Sequence, residues 1–358
     1  MKKKICLFIP YFGKLPNYFP LWLKSVAYNR NINFFIVTDI NMGKYNIPDN
    51  VFIKNQSFDD FKNTIQKLFN FEICLDSPYK LVDFKPAYGY IFQNEIQKFG
   101  ADYWGYCDVD IIFGNIEKYL NKISFYEIDY EKVGQHGHFM VYKNTDRMKM
   151  LFSQGKKVDS ALDYKKVFSQ KYIFHFDETA GIDIISHHFN IYEKSLYGNL
   201  ELSSEKRDKI LESFYFSDVL PYYSNFISEK NEIIDSSWQY FEWEKGCLKQ
   251  KYCFENGEYF ERESMYAHLQ KRSMEYNLNI NEDLFLIFPN QITNDKRSII
   301  DTKKNYEKFT EHSIIDWRVK VIYRLVPSIF LNKKQKFNKG FFRMIDKWDK
   351  EIDLESRK

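Results

Sequence analysis

Tyr103-Trp104-Gly105-Tyr106-Cys107-Asp108-Val109-Asp110-Ile111-Ile112-Phe113-Gly114 is the stretch that decides how the rest of this chain is read. Tyr103 to Cys107 is an apolar, aromatic run of strand length, the pattern of a buried strand. It ends in Asp108-Val109-Asp110, and Phe113-Gly114-Asn115 then turns the chain. Where a strand gives way to loop, carboxylates two residues apart can reach one point. Two such anions repel unless a cation lies between them. Oxygen ligands suit a hard divalent ion, Mn²⁺ or Mg²⁺, which keeps open positions for phosphate oxygens. A D-x-D is also a common solvated turn, so the motif takes its meaning from its surroundings.

Upstream, Lys4–Pro10 reads as a strand ending in the loop Pro10-Tyr11-Phe12-Gly13, whose glycine permits close approach to a ligand. Phe19–Tyr28 has helical spacing, Asn33–Thr38 is a second buried strand ending at Asp39, and Val51–Asn55 is a short third. Ser57 with Asp60 is an N-cap signal for an amphipathic helix running through Phe69. Lys80-Leu81-Val82-Asp83-Phe84-Lys85-Pro86 then enters a helix predicted over Ala87–Phe99, with Pro86 at its start. Strands alternating with helices at this spacing predict an α/β fold, a mostly parallel sheet covered by helices. Such sheets bind ligands beyond the carboxyl ends of their strands. Pro10–Gly13, Asp39 and Asp108–Asp110 all fall at such ends, which favours the metal–diphosphate reading of the motif.

Downstream the alternation is less regular. Gly137–Lys143 reads as a strand, and the aromatic run from Phe174 leads to the acidic pair Asp177-Glu178 and a helix over Ile182–Phe189. Ser195 to Ser236 is polar and without a clear period. Asn256-Gly257, between short apolar stretches, signals a hairpin that feeds into Met265-Tyr266-Ala267-His268-Leu269-Gln270-Lys271-Arg272.

Composition narrows the class. The 358 residues are 44% hydrophobic and 28% charged, a globular balance with room for a large core. A net charge of +3 is too small for a nucleic-acid binder, so no nucleic-acid partner is expected. Five scattered cysteines without a C-x-x-C pair point to a reducing, cytoplasmic compartment. The opening Met1-Lys2-Lys3-Lys4 followed by an apolar run resembles a signal peptide, but Pro10 closes that run early and a first core strand fits better.

Taken together, strand Ile5–Pro10, the Lys80/Asp83/Lys85-Pro86 segment, Cys107-Asp108-Val109-Asp110, Asp177-Glu178 and His268-Leu269-Gln270-Lys271-Arg272 resemble a GT-A glycosyltransferase, the Rossmann-like domain that uses nucleotide sugars. More narrowly they resemble the bacterial enzymes that build capsule or O-antigen polysaccharide. The resemblance spans about residues 1–290. It implies that Asp108, Asp110 and His268 hold Mn²⁺ or Mg²⁺, with Lys271 and Arg272 beside the leaving diphosphate. Pro10, Tyr11, Phe12, Gly13 and Asp39 would line the nucleoside pocket, with Tyr11 or Phe12 stacking on the base. Lys80, Asp83 and Lys85 would lie near the diphosphate and sugar. Asp177 or Glu178 would deprotonate the acceptor hydroxyl. The donor implied is a nucleoside-diphosphate hexose, UDP-linked galactose in pyranose or furanose form or UDP-linked glucose, and the acceptor a hydroxyl of a lipid-linked glycan. A side-chain base with no evident covalent nucleophile favours inversion at the anomeric carbon. A dehalogenase-type phosphatase also uses D-x-D, but it carries the motif on its first strand with Thr or Val two residues on, where Ile112 stands here. The rival from another class is a non-catalytic, nucleotide-binding interaction protein that retains the glycosyltransferase fold.

Residues 291–358 read as a separate basic extension. Trp317 to Leu331 mixes basic and apolar residues around Pro327, and Lys333, Lys334, Lys336, Lys339 and Arg343 follow with Phe337, Phe341 and Phe342 between them. Proline divides this into two short amphipathic helices. Such segments lie in membrane interfaces and are drawn to anionic lipid, so a peripheral position at the inner face of the cell membrane is expected.

Overall fold

The computed structural model describes residues 2–134, 137–194, 217–219, 237–254, 259–269, 274–277, 283–288 and 291–295. Lys271, Arg272, the Asn256-Gly257 turn and the basic tail from 296 onward lie outside the described residues.

Strands β1 (Ile5–Pro10), β2 (Ile32–Thr38) and β3 (Val51–Asn55) pair in parallel, each beside the one before. Helix α1 (Phe19–Ala27) joins the first two, and its buried face carries Phe19, Trp22, Leu23 and Val26. After β3 the Ser57 hydroxyl caps α2 (Phe58–Gln66), accepting the Asp60 amide at 3.1 Å. That helix closes at Gln66, one turn short of the predicted Phe69. A 3₁₀ segment, Pro78–Ala87, follows. The single helix predicted over Ala87–Phe99 is broken into α3 (Tyr88–Ile91) and α4 (Gln93–Phe99) by Phe92, at φ −104° and ψ 22°. The Phe92 ring is stacked on Phe8 of β1 at 4.6 Å, a core contact that accompanies the break.

The chain then crosses to the other side of β1, where β4 (Tyr103–Cys107) pairs with it in parallel. Every residue of β4 is buried, as the apolar run predicts. Gly105 lets the next strand pass, since a Cβ there would lie 2.0 Å from the Met140 carbonyl oxygen. β5 (Ile111–Phe113), α5 (Ile116–Lys122), β6 (Lys132–Gly134), β7 (Phe139–Lys143), α6 (Asp146–Lys149), α7 (Tyr164–Ser169), α8 (Ile184–His188) and β8 (Glu193–Lys194) complete this part of the chain. The central sheet has the order β3-β2-β1-β4-β7-β6-β8, with β7 antiparallel to both β4 and β6. The fold is mixed α/β with a largely parallel central sheet. Its strand order reverses between β1 and β4, and a reversal of that kind opens a crevice at the carboxyl ends of the two strands.

The C-terminal strands are β9 (Ser217–Val219), β10 (Ser237–Glu244), β11 (Cys247–Phe254), β12 (Tyr259–Glu263), β13 (Tyr266–His268), β14 (Glu275–Asn277), β15 (Leu284–Ile287) and β16 (Gln291–Thr293). Six of them form a second sheet, β12-β11-β10-β15-β16-β14. β11 and β12 pair antiparallel. A further hairpin between β10 and β11 turns at Lys245-Gly246, both at positive φ. The sheet reaches Thr293, past the boundary expected at residue 290. Trp243 donates its indole N–H to the Phe113 carbonyl at 2.8 Å, and Trp243, Leu248 and Phe285 belong to the same apolar core as Leu7 and Trp22. Among the described residues, no helix is long and apolar enough to cross a membrane.

Candidate metal centre

The end of β4 is fixed by three elements. The Asp108 amide donates to the His138 carbonyl at 3.0 Å, and the Trp22 indole of α1 donates to the Asp108 carbonyl at 3.2 Å. The Leu269 amide donates to the Asp110 carbonyl at 2.7 Å. This last bond comes from a strand more than 150 positions further along: β13 pairs antiparallel with β5, setting His268 opposite Ile111. The register brings the imidazole beside the second aspartate, with His268 Nε2 3.5 Å from Asp110 Oδ2. One ligand atom each from Asp108, Asp110 and His268 lie within 4.8 Å of one another. Two carboxylates and an imidazole suit Mn²⁺, and the oxygens suit Mg²⁺, so the donor chemistry fits the implied ion.

Lys85 joins this cluster to Asp177. Its ammonium donates to Asp108 Oδ1 at 2.7 Å and to the Gly137 carbonyl at 2.8 Å, and lies 3.0 Å from Asp177 Oδ2. Burial works against the lysine charge, but the Asp108 and Asp177 carboxylates outweigh it and raise its pKa. Asp177 is 2% exposed, and burial pushes its carboxyl up to about 6 against the opposing pull of Lys85. Gly137 makes room for this contact, because a Cβ there would lie 2.1 Å from Asp177 Oδ2. Glu178, next in sequence, is half exposed and pairs with His175 Nδ1 at 3.2 Å. The backbone here is unusual on both sides. His175 has φ 54°, and Thr179–Asp183 winds as a π-helix before α8 begins. Such departures collect at functional sites.

The cluster opens on a cleft of about 550 Å³ lined by Pro10, Tyr11, Lys85, Tyr88, Asp108 and Asp110, at the β1/β4 reversal. Burial, then the Asp110 and Asp108 charges, raise the Tyr11 phenol, which donates to the Lys14 carbonyl at 2.9 Å. Gly13 lines a larger neighbouring cleft of about 1220 Å³, which shares Lys14 to Asn17 with the first.

Four expected ligand contacts lie elsewhere. Phe12 packs on Phe58 and Phe61 at centroid distances of 5.3 and 5.6 Å, so its ring is core and unavailable to stack on a base. Asp39 is exposed past the end of β2 and lines neither cleft. Lys80 and Asp83 are interior, at 3% and 0% exposure, and bond to each other at 2.7 Å. Asp83 also accepts the Phe174 and Phe176 amides, and Lys80 donates to the Val167 and Tyr172 carbonyls. Their polar atoms are consumed by the protein, so neither is available to contact a ligand.

His138 also joins the cluster. Its ring centroid lies 3.8 Å from that of His268. Pairing Cys107 with Phe139 places Asp108 opposite His138, so the antiparallel β4–β7 register is the signal that finds it.

Residues 7–296 match a family described as "Family of unknown function (DUF6625)". The chain belongs to this family. The matched span takes in every described element of the cluster, from the β1 loop to His268, so the site lies wholly within the DUF6625 region. No curated protein matches the chain.

Proposed function

We propose that this DUF6625 chain is a metal-dependent glycosyltransferase of the GT-A type. It moves a hexose from a nucleoside-diphosphate sugar, UDP-linked, to a hydroxyl of a lipid-linked polysaccharide. One observation carries the reading: Asp108, Asp110 and His268 converge at the crevice where the strand order reverses. That is where an open α/β sheet takes its ligand, and the donor set is one that Mn²⁺ or Mg²⁺ accepts. A bound ion would stabilise the charge that develops on the leaving diphosphate. Tyr11 and Pro10 flank the same cleft and would hold the nucleoside. We assign the base for the acceptor hydroxyl to Glu178, because reach precedes pKa in selecting a base. Its carboxylate is half exposed and its orientation is held by His175, whereas Asp177 is enclosed and tied to Lys85. With Glu178 taking the hydroxyl proton, the acceptor oxygen would attack the anomeric carbon from the face opposite the departing diphosphate, which inverts that carbon. The basic tail would hold the enzyme at an anionic membrane surface, where a lipid-linked acceptor is concentrated.

The test is a screen of nucleotide sugars for Mn²⁺-dependent hydrolysis, followed by a search for the acceptor. Asp110→Ala is expected to abolish Mn²⁺-dependent UDP binding and transfer while the circular dichroism spectrum stays that of the wild type. Glu178→Gln is expected to lower transfer by about 10²–10⁴-fold with donor binding unchanged. Metal-dependent UDP binding without turnover of any donor would make the chain a nucleotide-binding protein instead. Full turnover by folded Asp110→Ala would remove the site.

A further inference from the structure

Three oxygens surround the Lys85 ammonium inside the cluster: it donates to Asp108 Oδ1 at 2.7 Å and to the Gly137 carbonyl at 2.8 Å, and pairs with Asp177 Oδ2 at 3.0 Å. The same side chain lines the cleft, next to Asp108 and Asp110. Asp108 therefore has one carboxylate oxygen committed to a resident cation. A divalent ion approaching Asp108, Asp110 and His268 shares that carboxylate with a positive charge only one carboxylate away. Like charges so placed, in a largely buried setting, repel strongly. A phosphate in the cleft offers the ammonium an alternative anion.

We infer that Lys85 is a counter-ion switch that makes metal binding at Asp108, Asp110 and His268 conditional on a diphosphate. Without a diphosphate, Lys85 stands in for the metal at Asp108 and holds metal affinity down. With one, Lys85 turns to the phosphate oxygens and releases Asp108 to the ion. The inference rests on the proposed metal–diphosphate reading of the cluster. By linkage, metal and diphosphate each tighten the other by the same factor. An enzyme wired this way takes up its metal together with its donor. Lys80, five residues earlier, has no part in this, since its partners are Asp83 and backbone carbonyls of the interior.

The experiment is a calorimetric Mn²⁺ titration of the full chain, with and without saturating UDP, corrected for Mn²⁺ bound by free UDP. It is run on the wild type, Lys85→Gln and Lys85→Arg. In the wild type, UDP is expected to tighten Mn²⁺ binding by roughly tenfold or more, within the usual range of coupling between sites. Lys85→Gln keeps an N–H for Asp108 but loses the charge. It is expected to bind Mn²⁺ about tenfold more tightly than the wild type without UDP, and to lose most of the UDP effect. Lys85→Arg retains the coupling. The inference is overturned if UDP leaves the wild-type Mn²⁺ affinity unchanged, or if folded Lys85→Gln shows wild-type affinities in both conditions. Should Lys85→Gln fail to fold, a wild-type Mn²⁺ affinity left unchanged by UDP still overturns the inference. If the wild type binds no Mn²⁺ in either condition, the metal–diphosphate reading falls first and the inference with it. Mn²⁺ binding that needs UDP equally in all three proteins leaves that reading intact and removes the switch.

Discussion

Lys80 with Asp83, and Lys85 with Asp108 and Asp177, are two buried lysine–carboxylate groups drawn from one short 3₁₀ segment, yet they serve different ends. Around Lys80 and Asp83 every partner is part of the interior. The carboxylate takes the amides on both sides of His175, and the lysine takes carbonyls from α7 and the loop after it. The pair fastens the loop that carries Asp177 and Glu178. Around Lys85 the partners are Asp108, which lines the cleft as half of the D-x-D, the enclosed Asp177 and the Gly137 carbonyl. A buried ion pair stabilises little by itself, because desolvation offsets the attraction. The first pair secures loop geometry; the second keeps charge in balance beside the candidate site.

The largest effect should come from breaking the interior pair. Asp83→Ala leaves the Lys80 ammonium buried without its carboxylate and strips two amides of their acceptor. Removing one partner of such a pair typically costs about 3–5 kcal/mol, which urea denaturation would read directly. Replacing both residues, Lys80→Met with Asp83→Leu, should recover most of that loss if the charge is the source of it. Should the double variant remain as unstable as Asp83→Ala, the backbone contacts carry the cost. At the cleft the corresponding change, Asp110→Ala, is expected to leave stability near that of the wild type and to remove metal-dependent binding.

A smaller effect sharpens the contrast through pH. Asp177 is held at about 6, above the ordinary carboxylate range, because burial disfavours its charge. The unfolded chain gives up this proton near pH 4, so between pH 4 and 6 the folded state binds more protons than the unfolded one. Stability from this group is therefore complete below pH 4 and is lost as pH rises through 6. The deficit at neutral pH is roughly 2–3 kcal/mol. In metal-free protein, Asp177→Asn should flatten this slope, its stability gaining on the wild type from pH 4 to pH 7. Parallel stability curves would mean that Lys85 compensates the Asp177 charge in full.

The sequence carries some of this plainly and some not at all. The parallel strands were legible because each is a short buried apolar run bounded by turn residues, and β4 is buried at every position. Asp108 and Asp110 were legible as a strand-end pair, and His268 through the family resemblance. Lys80, Asp83 and Lys85 could not be told apart, because what separates them is the 3₁₀ winding of Pro78–Ala87. With three residues per turn, positions 80 and 83 share a face, and position 85 points away from it toward β4. An apolar period would have revealed that winding, but lysine, aspartate and proline interrupt it. Phe12 was misplaced for a related reason. Next to a glycine in a ligand loop it looks available, and only the approach of Phe58 and Phe61 from α2 makes it core.

The smallest effect concerns His138, which tests how far the cleft cluster depends on side chains behind its ligands. Its carbonyl fixes the Asp108 amide, a bond that survives truncation of the ring. What His138→Ala removes is the imidazole packed 3.8 Å from the His268 ring, which limits how His268 turns beside Asp110. Contacts between aromatic rings are worth about 0.5–1.5 kcal/mol, so Mn²⁺ affinity in the presence of UDP should fall by about two- to tenfold. Thermal stability should change little, and UDP binding without metal not at all. His138→Phe keeps a ring in place and should restore most of the affinity. If the phenylalanine variant binds Mn²⁺ as weakly as the alanine variant, the imidazole nitrogens of His138, rather than its packing, serve the site. A loss far beyond tenfold in both would place His138 among the ligands themselves.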